Sequence, residues 1–593
     1  MARAVPRISR RRALALGAGG AGALAAGGAA WALRGAGSQP PSAPSASPTA
    51  SASPRQSPTA LPSPTTPARG PVRGGVARLV SRRRFSFDTF DAVRSGEPSV
   101  AEILGRTHQR LIEWTSFIDG TFGPGVATSW QQHSDTSWTF DVDPGAAWRG
   151  DQFARPLTAD DVVDHLARVL AAASAGEVPL SQRPWRYATI ERVEAPDLAT
   201  VRIDTAGPDP FLLETLASPF ASIQSQQAIA AFEDLLHERR PEHLVGSGPF
   251  AYRGSGEGGS LIFERHADGA ANLDGLVVFP GGGDSASFLE WRTDEFIARD
   301  RRDTAEVRAS ADDSLSESPL FEDSPVVSTL AVGAPPWHNP QLRLALSAAL
   351  NRGWLAGALF GARAVPSAVV PPSSATPFQI AESELQLVPG YGPDPEVDAG
   401  DARARWLAAG GDALGQIQLD IPAVFDPLYN ASATVSARLQ EVLGVDVRVE
   451  PDSYTGIAGK VARGFYGNGN AALWFGWGPA TASPDPSLNL LETFHSASAT
   501  AQLAGYHDSA VDDLLASVRV EFDPAQRARL VLEVQSEILK SAGGGVLPWL
   551  LQRSEHFSRR YLVGPARSPF EDAHLDALRW LDPEGPRLDF RAP

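Results

Sequence analysis

NPQLRLALSAALNR, residues 339–352, is the stretch that decides the fold of this chain. Asn339 is a favoured helix N-cap, and Pro340 suits the first helical turn, where its missing N–H costs no hydrogen bond. Apolar side chains then recur at the three- and four-residue spacing of one helix face. They are Leu342, Ala345, Leu346, Ala349 and Leu350. The stretch therefore predicts an amphipathic helix packed on a core.

Strand-like segments alternate with helix-like segments on both sides of this helix. Polar–apolar alternation predicts a half-buried strand at 137–142, and a helix follows Thr158, with Asp161 placed to complete a capping box. A second strand is predicted at 445–449, directly after a helix at 432–443. Alternating elements of this kind predict an α/β fold.

Length and composition narrow the classes of protein. A chain of 593 residues is too long for one core, so two or more lobes are expected. The absence of cysteine excludes disulfides, thiolate metal sites, cysteine nucleophiles and a lipid anchor attached through cysteine. The formal net charge of −17 argues against nucleic acid or anionic lipid as a partner, because both bind clustered positive charge.

The N-terminal part differs in composition from the rest of the chain. It contains nine Arg and no acid up to residue 75, so that residues 76–593 carry a formal net charge of −26. Three arginines at 10–12 precede an uncharged stretch rich in Ala and Gly, which resembles a twin-arginine export signal. We expect residues 1–33 to be a cleaved signal or a retained anchor, and the Pro/Ser/Thr-rich residues 34–75 to be a disordered linker.

The sequence lacks the common catalytic motifs. It contains no Gly-x-Ser-x-Gly elbow, no His-Glu-x-x-His motif, no Walker loop and no dinucleotide-binding glycine fingerprint. The 11 histidines are scattered, and His165, in the middle of a helix, is expected to be a satisfied or solvent-facing side chain rather than a ligand. We therefore expect no enzyme activity, no metal and no cofactor.

One aromatic segment suggests a binding site. Trp474 and Trp477 lie in the run LWFGWGP, residues 473–479, beside two glycines. Glycines permit close approach of another molecule, and aromatic faces supply apolar contact area at a low entropy cost. The alternative is that the two tryptophans, three residues apart, pack into a core. The Gly-Pro pair after Trp477 favours a loop mouth for that residue.

Several stretches resemble one known family. Residues 335–352 are similar to its "pPf-d-vRqAlsyAidR" motif, residues 245–250 to "vGTGPy", residues 128–140 to "eSWe…tyTF", and the loop at 477–486 to "gW-aDy-DP". With further short stretches, nine in the same order over about 76–565, they resemble the extracytoplasmic solute-binding proteins of the oligopeptide/dipeptide/nickel class, family 5, which serve ABC importers.

The resemblance implies a two-lobed α/β clamshell of the periplasmic-binding-protein type II, with the extra lobe-I subdomain of the peptide-binding class. It places the first part of lobe I at 76–328, lobe II at 329–534 and the return segment of lobe I at 535–593. It also implies a monomer that captures a peptide-like or other small solute and presents it to ABC permease subunits. The alternative is a regulatory or interaction role in the cell envelope on the same fold.

The resemblance also implies ligand-binding residues. The expected cleft residues are Trp474, Trp477 and Tyr454 for stacking, with Gln109 and Arg110 for hydrogen bonds or anion pairing.

An acidic residue expected from the family is missing. Its peptide binders place an Asp shortly after the loop Trp to pair with the peptide α-ammonium, whereas Ala480 and Ala482 occupy the candidate positions here. Because an unpaired buried ammonium is costly, an uncharged, anionic, sugar-like or lipid-like ligand fits better than a free-N-terminus peptide, unless Asp485 compensates.

Source and location follow from composition and the N-terminus. Lysine occurs only at 460 and 540, which indicates a high-GC, actinobacterium-like source. We expect an exported protein, secreted or associated with the cell envelope. Contact with the membrane is expected only through the N-terminal segment.

Overall fold

The computed structural model describes residues 74–563 and 579–580, apart from short internal gaps. The gaps lie at 82–84, 96, 117–119, 151, 179–183, 219, 268, 270, 282–284, 291, 299–300, 311–314, 324, 329–331, 361–363, 371–375, 423–425, 454–455, 458, 461–462, 468, 478–484, 542–548 and 561. The predicted signal or anchor, and nearly all of the predicted linker, lie outside the described residues. Within the described part, no helix is both long enough and apolar enough to cross a membrane.

The strands are numbered in chain order. They are β1 (Val76–Val80), β2 (Ile112–Ser116), β3 (Thr121–Pro124), β4 (Ala127–Ser134), β5 (Ser137–Val142), β6 (Ala147–Trp148), β7 (Arg155–Pro156), β8 (Ile190–Asp197), β9 (Thr200–Thr205), β10 (Phe250–Ser255), β11 (Leu261–Arg265), β12 (Gly275–Phe279), β13 (Glu295–Ala298), β14 (Leu315–Asp323), β15 (Pro325–Ser328), β16 (Ala364–Ser367), β17 (Gln416–Pro422), β18 (Asp446–Asp452), β19 (Ala472–Trp477), β20 (Trp549–Arg559), β21 (Leu562–Val563) and β22 (Arg579–Trp580).

The α-helices are numbered in the same way. They are α1 (Pro98–Thr107), α2 (Ala159–Ala175), α3 (Leu212–Leu216), α4 (Gln226–Phe232), α5 (Ser285–Leu289), α6 (Arg301–Ala309), α7 (Pro340–Ala349), α8 (Arg352–Phe360), α9 (Glu382–Leu385), α10 (Pro395–Ala408), α11 (Asp426–Leu443), α12 (Ser487–Phe494), α13 (Ala499–Ala504), α14 (Ser509–Val520) and α15 (Pro524–Lys540).

The chain forms two α/β lobes. Lobe I contains the sheet β1-β12-β11-β10 and a subdomain built on the antiparallel sheet β4-β5-β9-β8 with α2 and α3. Lobe II contains the sheet β15-β19-β17-β18, in which β17 is parallel to both neighbours. The two-lobed clamshell expected from the resemblance is confirmed, whereas the exact limits of each lobe stay predictions.

Two long strands connect the lobes. β14 pairs with β20 from Leu315–Arg559 to Asp323–Leu551. β13 pairs with the C-terminal half of β20, and β16 pairs with its N-terminal half. On the lobe I side, Asp294 and Glu295 accept hydrogen bonds from the backbone of β1 at 2.8 and 2.9 Å. After β14 the chain enters β15, which pairs with β19 in lobe II.

The stretch at 339–352 forms the predicted helix, α7. The Asn339 side chain accepts a hydrogen bond from the Gln341 N–H at 2.9 Å, as an N-cap does. The predicted apolar face is buried in the lobe II core with the strands β17 and β19. Trp337 anchors the start of the helix, because its buried indole N–H donates to the Ala472 carbonyl at 2.8 Å. The prediction is confirmed.

The subdomain also confirms the local predictions. β5 occupies the predicted strand, and Phe140 lies fully buried on its inner face. Thr158 and Asp161 form the predicted capping box at the start of α2. His165 is buried on α2, where its Nδ1 accepts from the Gln224 N–H at 3.4 Å. It is therefore a satisfied core histidine.

Candidate functional site

The carboxyl edge of the lobe II sheet is the candidate ligand surface of that lobe. In open α/β sheets, ligands bind outside the carboxyl ends of the parallel strands. Here the last residues of the three strands β17, β18 and β19 are Pro422, Asp452 and Trp477. Trp477 pairs through its backbone with Pro325 of β15, and its side chain lies outside the described residues.

Trp474 lies three residues before Trp477 on β19. Its side chain is 4% exposed and packs in an apolar cluster with Leu490 and Phe494 of α12. Its indole N–H has no hydrogen-bond acceptor within the described part of the chain. The core alternative therefore accounts for the burial of Trp474, and its role in ligand binding stays a prediction.

A charged cluster at the same edge was missed by sequence reasoning. Asp420 of β17 is fully buried and accepts hydrogen bonds from the Tyr466 hydroxyl at 2.6 Å and from Lys460 Nζ at 2.9 Å. Lys460 also forms an ion pair with Asp452 at 3.0 Å. The cluster attaches the segment between β18 and β19 to the sheet edge. The rarity of lysine in this chain was the one available signal for it.

The pKa values of Lys460 and Tyr466 in this cluster are shifted from their usual values. Burial alone would lower the pKa of Lys460, but the hydrogen bonds to Asp420 and Asp452 outweigh it and raise the pKa above its usual value. Burial and the adjacent Asp420 carboxylate raise the pKa of Tyr466 above its usual value. Lys460 thus stays an ammonium and Tyr466 a neutral donor, which is the arrangement that satisfies a buried carboxylate.

Gln109 and Arg110 lie at the end of α1 in lobe I. The backbone N–H of Gln109 donates to Ser247 Oγ at 3.2 Å, and its carbonyl accepts from the Ile223 N–H at 2.9 Å. The Arg110 guanidinium is buried and forms an ion pair with Glu113. Its charge is therefore already balanced within lobe I.

The glycines of the VGSGPF stretch at 245–250 explain how Gln109 is placed. A Cβ on Gly246 would lie 1.8 Å from the Thr107 carbonyl oxygen, and one on Gly248 would lie 2.7 Å from the Thr107 carbonyl carbon. Only a chain without side chains at these two positions can pass so close to the end of α1. That approach brings Ser247 within hydrogen-bond distance of Gln109.

Asp485 lies just before α12 in lobe II. Its Oδ1 accepts from the Ser487 N–H at 2.9 Å, and its Oδ2 accepts from Arg527 Nε at 2.6 Å. The carboxylate is therefore engaged with a cation of its own lobe. Tyr454 lies outside the described residues, so its placement in the cleft stays a prediction. Within the described part, no group of three or more His, Asp or Glu side chains is arranged to hold a metal ion.

A two-lobed α/β clamshell with a paired long-strand connection defines a periplasmic-type solute-binding protein. The sequence profile of the bacterial extracellular solute-binding proteins, family 5 (middle), matches residues 121–498. The chain therefore belongs to this family, and the resemblance inferred from the motifs is confirmed.

Three proteins illustrate what the chain is similar to. The di/tripeptide-binding protein 1 of Pseudomonas aeruginosa is 24% identical over 445 residues, which cover 70% of this chain and 78% of the relative. The glutathione-binding protein GsiB of Salmonella typhimurium is 25% identical over 382 residues, covering 61% and 68%. The structure of the Escherichia coli murein tripeptide binding protein MppA aligns with a TM-score of 0.69 at 17% identity, covering 86% of this chain and all of MppA.

Proposed function

We propose that the chain is the extracytoplasmic substrate-binding component of an ABC importer and captures a short peptide or peptide-like solute between its lobes. Membership of the solute-binding family, established over residues 121–498, is the observation that carries the proposal. The three relatives described above are named for di/tripeptides, glutathione and a murein tripeptide, which supports a ligand of this size and class. A binding protein needs no catalytic group, and we propose none.

We propose cleft residues from both lobes. In lobe II, we propose that Trp477 and Tyr454 supply stacking faces and that Trp474, which is only 4% exposed, supports the carboxyl edge of the sheet from the core. In lobe I, the Gln109 side chain is the proposed polar contact. Arg110, whose guanidinium is paired with Glu113, would act on an anionic ligand group only through that pair.

The charge of the ligand amino group is the second part of the proposal. Asp485 holds Arg527, so a ligand α-ammonium near the 477–486 loop would have to break that ion pair or remain unpaired. We therefore propose that peptides with a blocked or uncharged amino group bind more tightly than free peptides. The same carboxylate, if it turned towards a ligand, would reverse this preference.

Calorimetric titration of the full chain with tri-alanine and with N-acetyl tri-alanine amide tests both parts. We expect saturable binding with at least a tenfold preference for the blocked peptide. Failure of free, blocked and murein-type tripeptides to bind or to raise the melting temperature would refute the peptide proposal. A tenfold preference for the free peptide would refute only the part concerning the amino group. The relatives described above are named as binding proteins, so no observation favours the regulatory alternative.

Export is proposed through residues 1–33 as a twin-arginine-type signal or anchor, with residues 34–75 as a tether in an actinobacterium-like envelope. A reporter fused to residues 1–75 should reach the outside of the cell, and replacing Arg10 and Arg11 by Lys should retain it inside. Export that is unaffected by the double Lys change would contradict the twin-arginine assignment.

The protein is also proposed to be a monomer. Size-exclusion chromatography with light scattering should show a mass of one chain.

A further inference from the structure

A buried arginine of the lobe I subdomain reaches across to lobe II. Arg186 lies in the 3₁₀ helix Pro184–Thr189, and its Nε donates to Glu492 Oε1 of α12 at 2.6 Å. Its Nη1 donates to Glu214 Oε1 of α3 at 3.2 Å. The three side chains are little exposed, at 8% for Arg186, 9% for Glu492 and 13% for Glu214. Because Glu214 belongs to the same subdomain as Arg186, the bond to Glu492 is the one that joins the lobes.

Two phenylalanines, one from each lobe, also pack across the boundary between the lobes. Phe211, at the start of α3, packs into the lobe II apolar cluster that contains Leu490. The Arg527 guanidinium of lobe II lies 5.4 Å from the centre of the Phe211 ring. In return, Phe522 of lobe II packs against the apolar core of the subdomain. We call Arg186, Phe211, Glu492 and Phe522 together the lobe contact.

The lobe contact has the properties of a reversible interface rather than of a permanent core. Arg186 keeps Glu214 as a partner whether or not the lobes touch, so its guanidinium is held in place to receive Glu492. Burying the Arg186–Glu492 pair requires both charges to lose water, which leaves a modest net gain and strong dependence on geometry. Such a contact stabilises one relative position of the lobes without making separation prohibitively costly.

We propose that Arg186 is a positioning residue for solute capture, which acts by holding the subdomain of lobe I against α12 of lobe II. It thereby sets the fraction of molecules whose lobes are together before a solute arrives. Since the apparent dissociation constant is the intrinsic one divided by the binding-competent fraction, Arg186 controls affinity without touching the ligand. This last consequence rests on the proposed function, whereas the lobe contact itself does not.

The absence of cysteine makes a direct distance measurement possible. Spin labels on Leu198→Cys, in the β8–β9 turn of the subdomain, and Leu387→Cys, in lobe II, would report the separation of the lobes. Both leucines are strongly exposed, at 67% and 84%. The variants are Arg186→Gln and the near-isosteric Glu492→Gln. The matched control is Arg192→Gln, which removes an exposed arginine whose partner Asp204 lies in the same sheet.

Without ligand, Arg186→Gln and Glu492→Gln should each broaden the distance distribution towards longer values, and the control should match the parent. The two changes together should have little more effect than either alone, as expected for partners in one contact. The Kd of a bound tripeptide should rise about tenfold in each variant, and Arg186→Lys should restore part of it. Distances unchanged in both variants would overturn the proposal, even if peptides bind. Altered distances in a protein that binds no peptide would support the lobe contact and refute only the proposed function. If Arg186→Gln does not fold, Glu492→Gln alone decides between these outcomes.

Discussion

Two buried histidines in lobe I should make the protein less stable in mild acid. His108, after α1, and His165, on α2, are both almost fully buried. Burial, and then the charge on His165, lowers the pKa of His108 to about 3. Burial, and then the nearby Arg168 guanidinium, lowers the pKa of His165 to about 4. Both imidazoles are therefore neutral in the folded protein over the whole range near neutrality.

The sign and size of the effect follow from proton linkage. In the unfolded chain both histidines titrate near about 6.5, so below that pH the unfolded state binds more protons than the folded state. The free energy of unfolding therefore falls as the pH falls from about 6.5 towards the folded-state pKa values. At about pH 5, each histidine should contribute a loss of about 2 kcal/mol relative to about pH 7.5.

Urea unfolding at these two pH values tests the reasoning. The variant His165→Gln keeps an oxygen that can accept from the Gln224 N–H but cannot be protonated in this range. It should lose about 2 kcal/mol less than the parent between the two pH values. The control His133→Gln removes an exposed histidine of β4 and should follow the parent. If His165→Gln and the parent lose the same free energy, the buried histidine is not the source of acid sensitivity.

Three further substitutions have defined outcomes. Tyr466→Phe removes one hydrogen bond to the buried Asp420 carboxylate and should lower the free energy of unfolding by about 1.5–3 kcal/mol. A loss below about 0.5 kcal/mol would contradict this, because it would show that water replaces the hydroxyl in the cluster. Asp485→Asn should lower the melting temperature while leaving the Kd of a blocked tripeptide within about twofold, because its partner is a cation of its own lobe; a large loss of affinity without destabilisation would make Asp485 a ligand residue instead. Gly246→Ala should destabilise the folded protein by about 3 kcal/mol, whereas the control Gly207→Ala, where a Cβ meets nothing within 4 Å, should be neutral or slightly stabilising. Equal stabilities of the two variants in thermal melts would contradict the close approach of Gly246 to α1.

The fold was predictable where its signals are local. The helix at 339–352 carries its own N-cap, first-turn proline and apolar face, and the capping box at Thr158 needs only residues three apart. These features specify an element wherever it lies in the fold. The order of several such elements was enough to indicate the family, which the match over 121–498 confirms.

The charged contacts were not predictable in the same way. Lys460 pairs with Asp420 across 40 positions of sequence, and Arg186 pairs with Glu492 across 306. The chain holds 52 basic and 69 acidic residues, so residue type alone cannot single out one partner among so many. Only the register of β17 in its sheet and the docking of α12 on the subdomain select these pairs.

The same reason explains why the sequence pattern predicts Asp485 as a ligand residue. It follows the tryptophan segment at a spacing close to the one that an ammonium-binding acid would have. Its cationic partner, Arg527, lies 42 positions further on, and the sequence does not reveal that pairing. In the structure, Asp485 orients Arg527, and Arg527 lies over Phe211 where the lobes meet. The carboxylate therefore contributes to the surface that receives the subdomain. If it neutralises Arg527 in the closed protein, the amino group of a bound peptide must be uncharged or be balanced elsewhere. Because the Asp485–Arg527 pair is made within lobe II, Asp485→Asn should leave the spin-label distances unchanged, as it should the affinity for a blocked peptide. A shift of both together would show instead that ligand preference and lobe docking depend on this one ion pair.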